Sequence, residues 1–200
     1  MRNCRQESCQ AVSPAAAELA ALRRLPAHQA EVHFPPACRS LVLSLAGNMR
    51  CADCDGPRPE WASVSYGILL CVQCGGRHRS YGVQSSRVKS IDMDAWSHDQ
   101  ILAMLEGGND QLCRFFDRHQ MTDTAMTCRR YKTKAALFYR TNLQKHVRDV
   151  GTQSKVYPGR EAIRKAISRR TESSSSSSSS SALTRQSSMQ TIHQQGIAAN

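Results

Sequence analysis

The sequence predicts one mixed helix-and-strand domain, on three observations. Short strand candidates cluster between residues 61 and 93. Three stretches with helical apolar faces follow between 97 and 147. Four cysteines in two CxxC pairs bracket the first strands. The 200 residues are 40% hydrophobic, enough for one core of roughly 100–120 residues and not for two large ones.

Taken in order, Ala15–Leu25 could form a short helix, but its periodicity is weak and Pro26, Pro35 and Pro36 interrupt the chain beyond it. Residues 1–37 are therefore expected as a poorly ordered leader. In CRSLVLSLA, residues 38–46, Leu41 and Leu45 share a helical face, and Gly47-Asn48 supplies a C-cap signal. The alternating leucines leave a strand open there. WASVS from Trp61, ILLC ending at Cys71 and RVKSIDM over 87–93 read as short strands. Ser97 with Gln100 three residues on makes a capping box. The helix it opens turns Ile101, Leu102 and Leu105 inward and stops at Gly107-Gly108. Asn109–His119 forms a second helix with Leu112, Phe115 and Phe116 on one side. A third runs from about Arg130 to Val147, where Ala135, Leu137 and Phe138 are expected to pack and Lys132, Lys134, Arg140 and Lys145 to face out.

Beyond Gly151 the pattern loosens. Residues 160–170 suit a basic helix with Ile163 and Ile167 as its bulky apolar contacts. Ser173–Ser181 is an unbroken serine tract, too polar to offset its ordering entropy. The expected organisation is a leader over 1–37, a zinc-finger domain over 38–150, and a basic segment with a disordered Ser-rich tail over 151–200.

The net charge is +11, and it is localised. Residues 129–170 hold 13 Lys and Arg against Asp149 and Glu161. Such a block seeks phosphate, in nucleic acid or on an anionic membrane. Nine cysteines without a repeating spacing do not read as a secreted disulfide framework. No stretch approaches the roughly 20 apolar residues of a membrane span, and the first 25 residues lack a signal-peptide core. A cytoplasmic placement is expected.

The chemistry concentrates in CADCDGPRPEWASVSYGILLCVQCGGRHR, residues 51–79. Cys51 and Cys54 are separated from Cys71 and Cys74 by sixteen residues, room for a hairpin to bring two tight CxxC turns onto one ion. Four thiolates at this spacing close a tetrahedral Zn2+ site with no position left for water, so the metal is expected to be structural. A redox CxxC is the blander alternative. Trp61, inside the clip, is expected to pack over the metal. His78 comes after a site already filled, and reads as a polar surface group or a partner behind the ligands. Arg77 and Arg79 come three and five residues after Cys74. A guanidinium fixed there could enter a nucleotide site on another protein and neutralise charge on a transferring phosphoryl group. Ordinary basic surface residues would look the same from spacing alone. The chain contains no GxxxxGKS/T phosphate loop, so no nucleotide site of its own is expected.

With an arginine five residues past the last cysteine, Cx2Cx16Cx2C resembles the catalytic domain of the Arf GTPase-activating proteins. PEWASVSYGILLCVQCGGRHRSYGV, SIDMDAW, GGND and YKTKAALF fall in the order that family shows, over about residues 38–150. SVSYG and GRHR look most like its Golgi-type branch. The resemblance implies an α+β fold: a small antiparallel sheet carrying a Cys4 zinc finger, surrounded by helices. It implies one structural zinc on Cys51, Cys54, Cys71 and Cys74, Arg79 as the arginine finger, and Trp61 and Asn109 as supporting residues. It also implies acceleration of GTP hydrolysis on a GTP-bound Arf-family GTPase, at the Golgi or another endomembrane. The chain would be a GTPase activator and not itself an enzyme with a nucleotide site. The 129–170 block would then meet an anionic membrane surface. The serine tract lacks the bulky apolar residues of an amphipathic membrane sensor.

Two alternatives remain at this point. A GATA-like nucleic-acid-binding finger also sets a tryptophan between two CxxC pairs, though it does not need the helices at 97–148. A catalytically inactive zinc interaction module would share the clip.

Overall fold

In the computed structural model the described residues are 13–26, 31–121, 127–153 and 156–175. The chain divides into two units after Arg160. The first holds a short helix α1 (Pro14–Arg23), strand β1 (Glu31–Val32), helix α2 (Pro36–Ser44), strands β2 (Trp61–Ser63) and β3 (Ile68–Leu70), and helix α3 (Val72–Ser80). It continues with strands β4 (Val88–Ser90) and β5 (Trp96–Ser97), helices α4 (His98–Glu106) and α5 (Asn109–Arg118), a single turn α6 (Thr127–Arg130) and the long α7 (Lys134–Gln153). Helix α8 (Arg160–Ser175) begins at the boundary and runs into the serine tract; residues 176–200 lie outside the described residues. No helix among the described residues is long and apolar enough to cross a membrane.

The expected α+β architecture is present. Strands β3, β2 and β4 form an antiparallel sheet in that order, with Trp61 opposite both Leu70 and Ser90. Ile68, Leu69 and Leu70 are fully buried, because β3 has α5 against it and α3 leading away from its end. A second antiparallel pair, β1 with β5, sets Val32 opposite Trp96. The Trp96 indole is buried, donates to the Ser90 carbonyl at 3.0 Å, and takes the edge of Phe34. Helix α4 buries Ile101, Leu102 and Leu105 as its period predicts, and Gln100 Oε1 accepts from the Ser97 N–H at 3.2 Å. It ends where Gly107 meets Gly67. Gly67 has φ +64°, and a Cβ there would lie 2.5 Å from the Ala103 carbonyl oxygen, so only glycine lets the β2–β3 turn close on α4.

Two expectations give way. The leader reading fails over 14–23, where α1 buries Ala15, Ala16 and Leu19 against α2 and α4. The Glu18 carboxylate accepts from the Ala37 and Cys38 N–H groups at 2.9 and 2.8 Å. It caps α2, whose own N-cap residue is Pro35 and offers no side chain to do so. Residues 1–12 and 27–30 of that leader lie outside the described residues. The inward face of α7 is also not the one expected. Ala136, Tyr139, Leu143, Val147 and Val150 are buried, while Leu137 and Phe138 are 50% and 61% exposed.

Candidate functional site

The first CxxC lies in a turn before β2, and the second spans the end of β3 and the first turn of α3. The hairpin between them brings all four sulfurs within 4.8 Å of one another. Cys54 Sγ and Cys71 Sγ are 3.6 Å apart. A tetrahedral zinc with bonds of about 2.3 Å sets sulfurs about 3.8 Å apart, so the donor set fits that ion. Burial and the neighbouring sulfurs push Cys74 well up, against a hydrogen bond from Arg77. Cys71, nearer solvent, is drawn down to about 7 in spite of its burial, by the Cys74 N–H and the other sulfurs. Cys38 stands apart, wedged between α1 and α2 with its thiol pushed up to about 12 by burial and by Glu18.

Helix α3 then sorts its side chains by phase. Cys74, Gly75 and His78 point inward. Arg77 and Arg79 point outward. Gly75 leaves room for Trp61, since a Cβ there would come within 3.3 Å of Trp61 Cβ and Cγ, closer than ordinary contact. Trp61, expected to pack over the metal, is only half-buried. Its ring carries the Arg79 guanidinium, whose central carbon is 4.1 Å from the ring centroid. Arg77 turns back instead and donates from Nη2 to Cys74 Sγ at 2.8 Å.

Behind this surface is a network the sequence did not disclose. Asp53, between the first two cysteines, has a side chain 1% exposed. Its Oδ2 pairs with His78 Nε2 at 3.1 Å, and its Oδ1 accepts from Arg130 Nη2 and Tyr131 Oη, each at 2.6 Å. Burial would raise its pKa, but the hydrogen bonds from His78 and Tyr131 and the charges beside it hold it at about 2. His78 Nδ1 continues to Ser86 Oγ at 2.8 Å, and Ser86 to Ser63 Oγ at 2.7 Å. His78 is thus a fully buried strut behind the cysteines, and not a surface group. One signal could have found it: His78 is four residues after Cys74, hence on the same helical face.

Asn109, expected as a supporting residue, ties both flanks of the clip to α5. Its Oδ1 accepts from the Leu69 N–H at 2.7 Å, and its Nδ2 donates to the Arg50 carbonyl at 2.6 Å and the Gly47 carbonyl at 3.2 Å. Its own N–H donates to Asn48 Oδ1 at 2.8 Å. The loop entering Cys51 and the strand entering Cys71 are therefore set by one side chain.

The fold and this site define a class: an α+β zinc-finger domain that displays a platform-mounted arginine on the helix leaving the metal loop. A family model described as "Putative GTPase activating protein for Arf" matches residues 38–149, and the chain belongs to that ArfGap family. It is 38% identical over 126 residues to ADP-ribosylation factor GTPase-activating protein 3 of Bos taurus, an alignment covering 58% of this chain and 24% of that protein. It is 38% identical over 80 residues to ADP-ribosylation factor GTPase-activating protein GCS1 of Saccharomyces cerevisiae, covering 40% of this chain and 23% of the relative. The chain thus spans about a quarter of the length of these relatives. Among solved structures, that of a "putative GTPase activating protein for ADP ribosylation factor" from Cryptosporidium parvum superposes with TM-score 0.52 at 25% identity, over 55% of this chain and 88% of that one. ArfGap domains bind one zinc, and zinc is the cofactor the clustered cysteines suit.

Proposed function

We propose that this chain stimulates GTP hydrolysis by a GTP-bound Arf-family GTPase, supplying Arg79 in trans. One observation carries the reading. Arg79 is exposed on α3, five residues past the last cysteine of the clip, and its guanidinium is already laid over the Trp61 ring. Cys51, Cys54, Cys71 and Cys74 would hold the zinc, whose part is to fix the start of α3. The ion has no role on the substrate, since four protein ligands fill it.

The chain's own residues do two things. The Cys4 loop, the Asp53–His78 network and Asn109 make α3 a stiff mount. The Arg79 guanidinium, planar and permanently charged, then bridges oxygens of the transferring phosphoryl group and offsets the charge that develops there. Arginines acting in trans this way contribute about 10³–10⁵ in rate, or about 4–7 kcal/mol of barrier. The nucleotide belongs to the GTPase. The relatives' names support an ADP-ribosylation factor as partner.

The 129–170 basic block suits an anionic membrane surface, where such a GTPase would be met, and the working location is cytoplasmic and peripheral to the Golgi or another endomembrane. Nucleic acid is disfavoured as a partner, because the layer of α4, α5 and α7 exceeds what a free-standing finger needs. The test is single-turnover hydrolysis on a panel of GTP-loaded Arf-family proteins. Acceleration by the wild-type chain and its loss in Arg79→Ala are expected. No acceleration on any member would overturn the reading.

A further inference from the structure

Helix α7 presents to solvent two large apolar side chains that its core does not use. Leu137 and Phe138 are half or more exposed, on the outer face of the helix. Phe138 is propped rather than free, because its ring lies stacked on Phe115 of α5 with centroids 6.5 Å apart and planes 15° from parallel. At about 100° per residue, Lys134, Leu137, Phe138, Thr141, Lys145 and Arg148 fall in one stripe about 100° wide. All six are exposed. Asp149 is the one acidic residue at its margin on this helix. Arg118, also exposed, stands a turn beyond Phe115 on α5.

We propose that this stripe docks on an anionic lipid surface, with Phe138 and Leu137 entering the headgroup–acyl boundary and Lys134, Lys145 and Arg148 held at lipid phosphates. The inference rests on the reading that the chain works at a membrane, and names the surface that would touch it. Three features favour lipid over a protein groove. The surface is a convex helix face and not a pocket. Its apolar pair has lysine on either side along the helix axis, and lysine is depleted where protein partners meet. Long Lys and Arg stems can lie along the apolar pair while their charges reach phosphate, the arrangement of helices that lie in an interface. The chain's +11 net charge supplies the complementary field. The stripe shares no side chain with the cysteine clip or with Arg79.

The test is co-sedimentation of the full chain with equimolar phosphatidylserine–phosphatidylcholine vesicles, and with phosphatidylcholine vesicles alone. Wild-type protein should bind the anionic vesicles in a salt-sensitive way. Leu137→Ser/Phe138→Ser should bind them at least about tenfold more weakly, while keeping native zinc content, a cooperative melting transition and stimulation of a soluble GTP-loaded Arf. Lys134→Glu/Lys145→Glu should weaken binding and flatten its salt dependence. In Phe138→Trp the added indole emission should shift blue on anionic vesicles and be quenched by brominated lipid. Unchanged binding by Leu137→Ser/Phe138→Ser, with no shift in Phe138→Trp, overturns this inference and leaves the membrane reading standing. No wild-type binding at low salt sinks both. Self-association that Leu137→Ser/Phe138→Ser abolishes, without effect on vesicles, would assign the stripe to a second copy and overturn the proposal.

Discussion

The guanidinium of Arg79 lies over the ring of Trp61, 4.1 Å from its centroid, before any partner is present. The two residues come from different elements, α3 and β2, and Gly75 lets them approach by offering no Cβ toward the indole. An exposed arginine otherwise samples many rotamers. Here the guanidinium rests against the indole while the residue as a whole stays exposed to solvent.

Removing the platform should cost activity through Arg79 alone. An exposed cation–π contact contributes about 0.5–1 kcal/mol, so Trp61→Ala should slow stimulated hydrolysis about 2–5-fold. The check is a double-mutant cycle in single-turnover assays. In an Arg79→Ala background the Trp61→Ala effect should vanish. An equal loss in both backgrounds would mean that Trp61 acts on the fold or on partner binding instead.

Loss of Asp53 should harm the fold. It holds His78, Arg130 and Tyr131 at once from inside the first CxxC turn. Asp53→Asn keeps the shape but leaves Arg130, whose side chain is 14% exposed, without its counter-charge. Breaking one side of a buried pair costs about 3–5 kcal/mol. Urea unfolding of the zinc-loaded protein should show a midpoint lowered accordingly. A midpoint within error of wild type would remove the network from the account of stability.

Legibility followed the range of the interactions. The strands at 61–63, 68–70 and 88–90, and helices α4 and α5, depend on local alternation, caps and glycine stops, and they lie where those signals put them. The clip could be read because two CxxC turns carry their geometry within four residues each. A short helix near α1 was open from the sequence, but its docking was not, since its buried face is mostly alanine and its anchor, Glu18, acts on an amide 20 residues away. On α7 residue type misleads and phase decides. Leu137 and Phe138 are more apolar than Ala136 and Tyr139, yet the latter pair shares a phase with Leu143 and Val147, and Tyr139 keeps its hydroxyl near Gln111. Asp53 and Arg130 are 77 residues apart, and no local pattern announces that pairing.

Glu18 provides a direct test that residues 14–23 belong to the domain. Its carboxylate takes two N–H groups of α2 that have no other cap. Glu18→Ala should cost about 1 kcal/mol, seen as a melting temperature about 2–4 °C lower. Glu18→Gln should recover part of it, since one amide oxygen can still accept. No shift for Glu18→Ala would return α1 to the status of an attached leader.

Arg77 and Arg79 are two residues apart on α3, and their geometry separates their roles. Arg77 donates to Cys74 Sγ, and that bond raises its own pKa, so the guanidinium stays charged beside the sulfur. Partners that hold a metal ligand from behind typically contribute about 10–100-fold in metal affinity. Arg77→Ala should therefore release zinc to a competing chelator at about 10–100-fold lower chelator strength, while at saturating zinc its stimulated hydrolysis falls less than about tenfold. Arg79→Ala should do the reverse, keeping wild-type zinc affinity and melting while losing about 10³ or more in rate. Arg79→Lys should recover little, because an ammonium cannot bridge two phosphoryl oxygens as a planar guanidinium does. Chelator competition and single-turnover hydrolysis on the same four proteins decide it. Should Arg77→Ala keep its zinc and lose the rate, the finger would be Arg77, and the stacked pair at Trp61 would be structural.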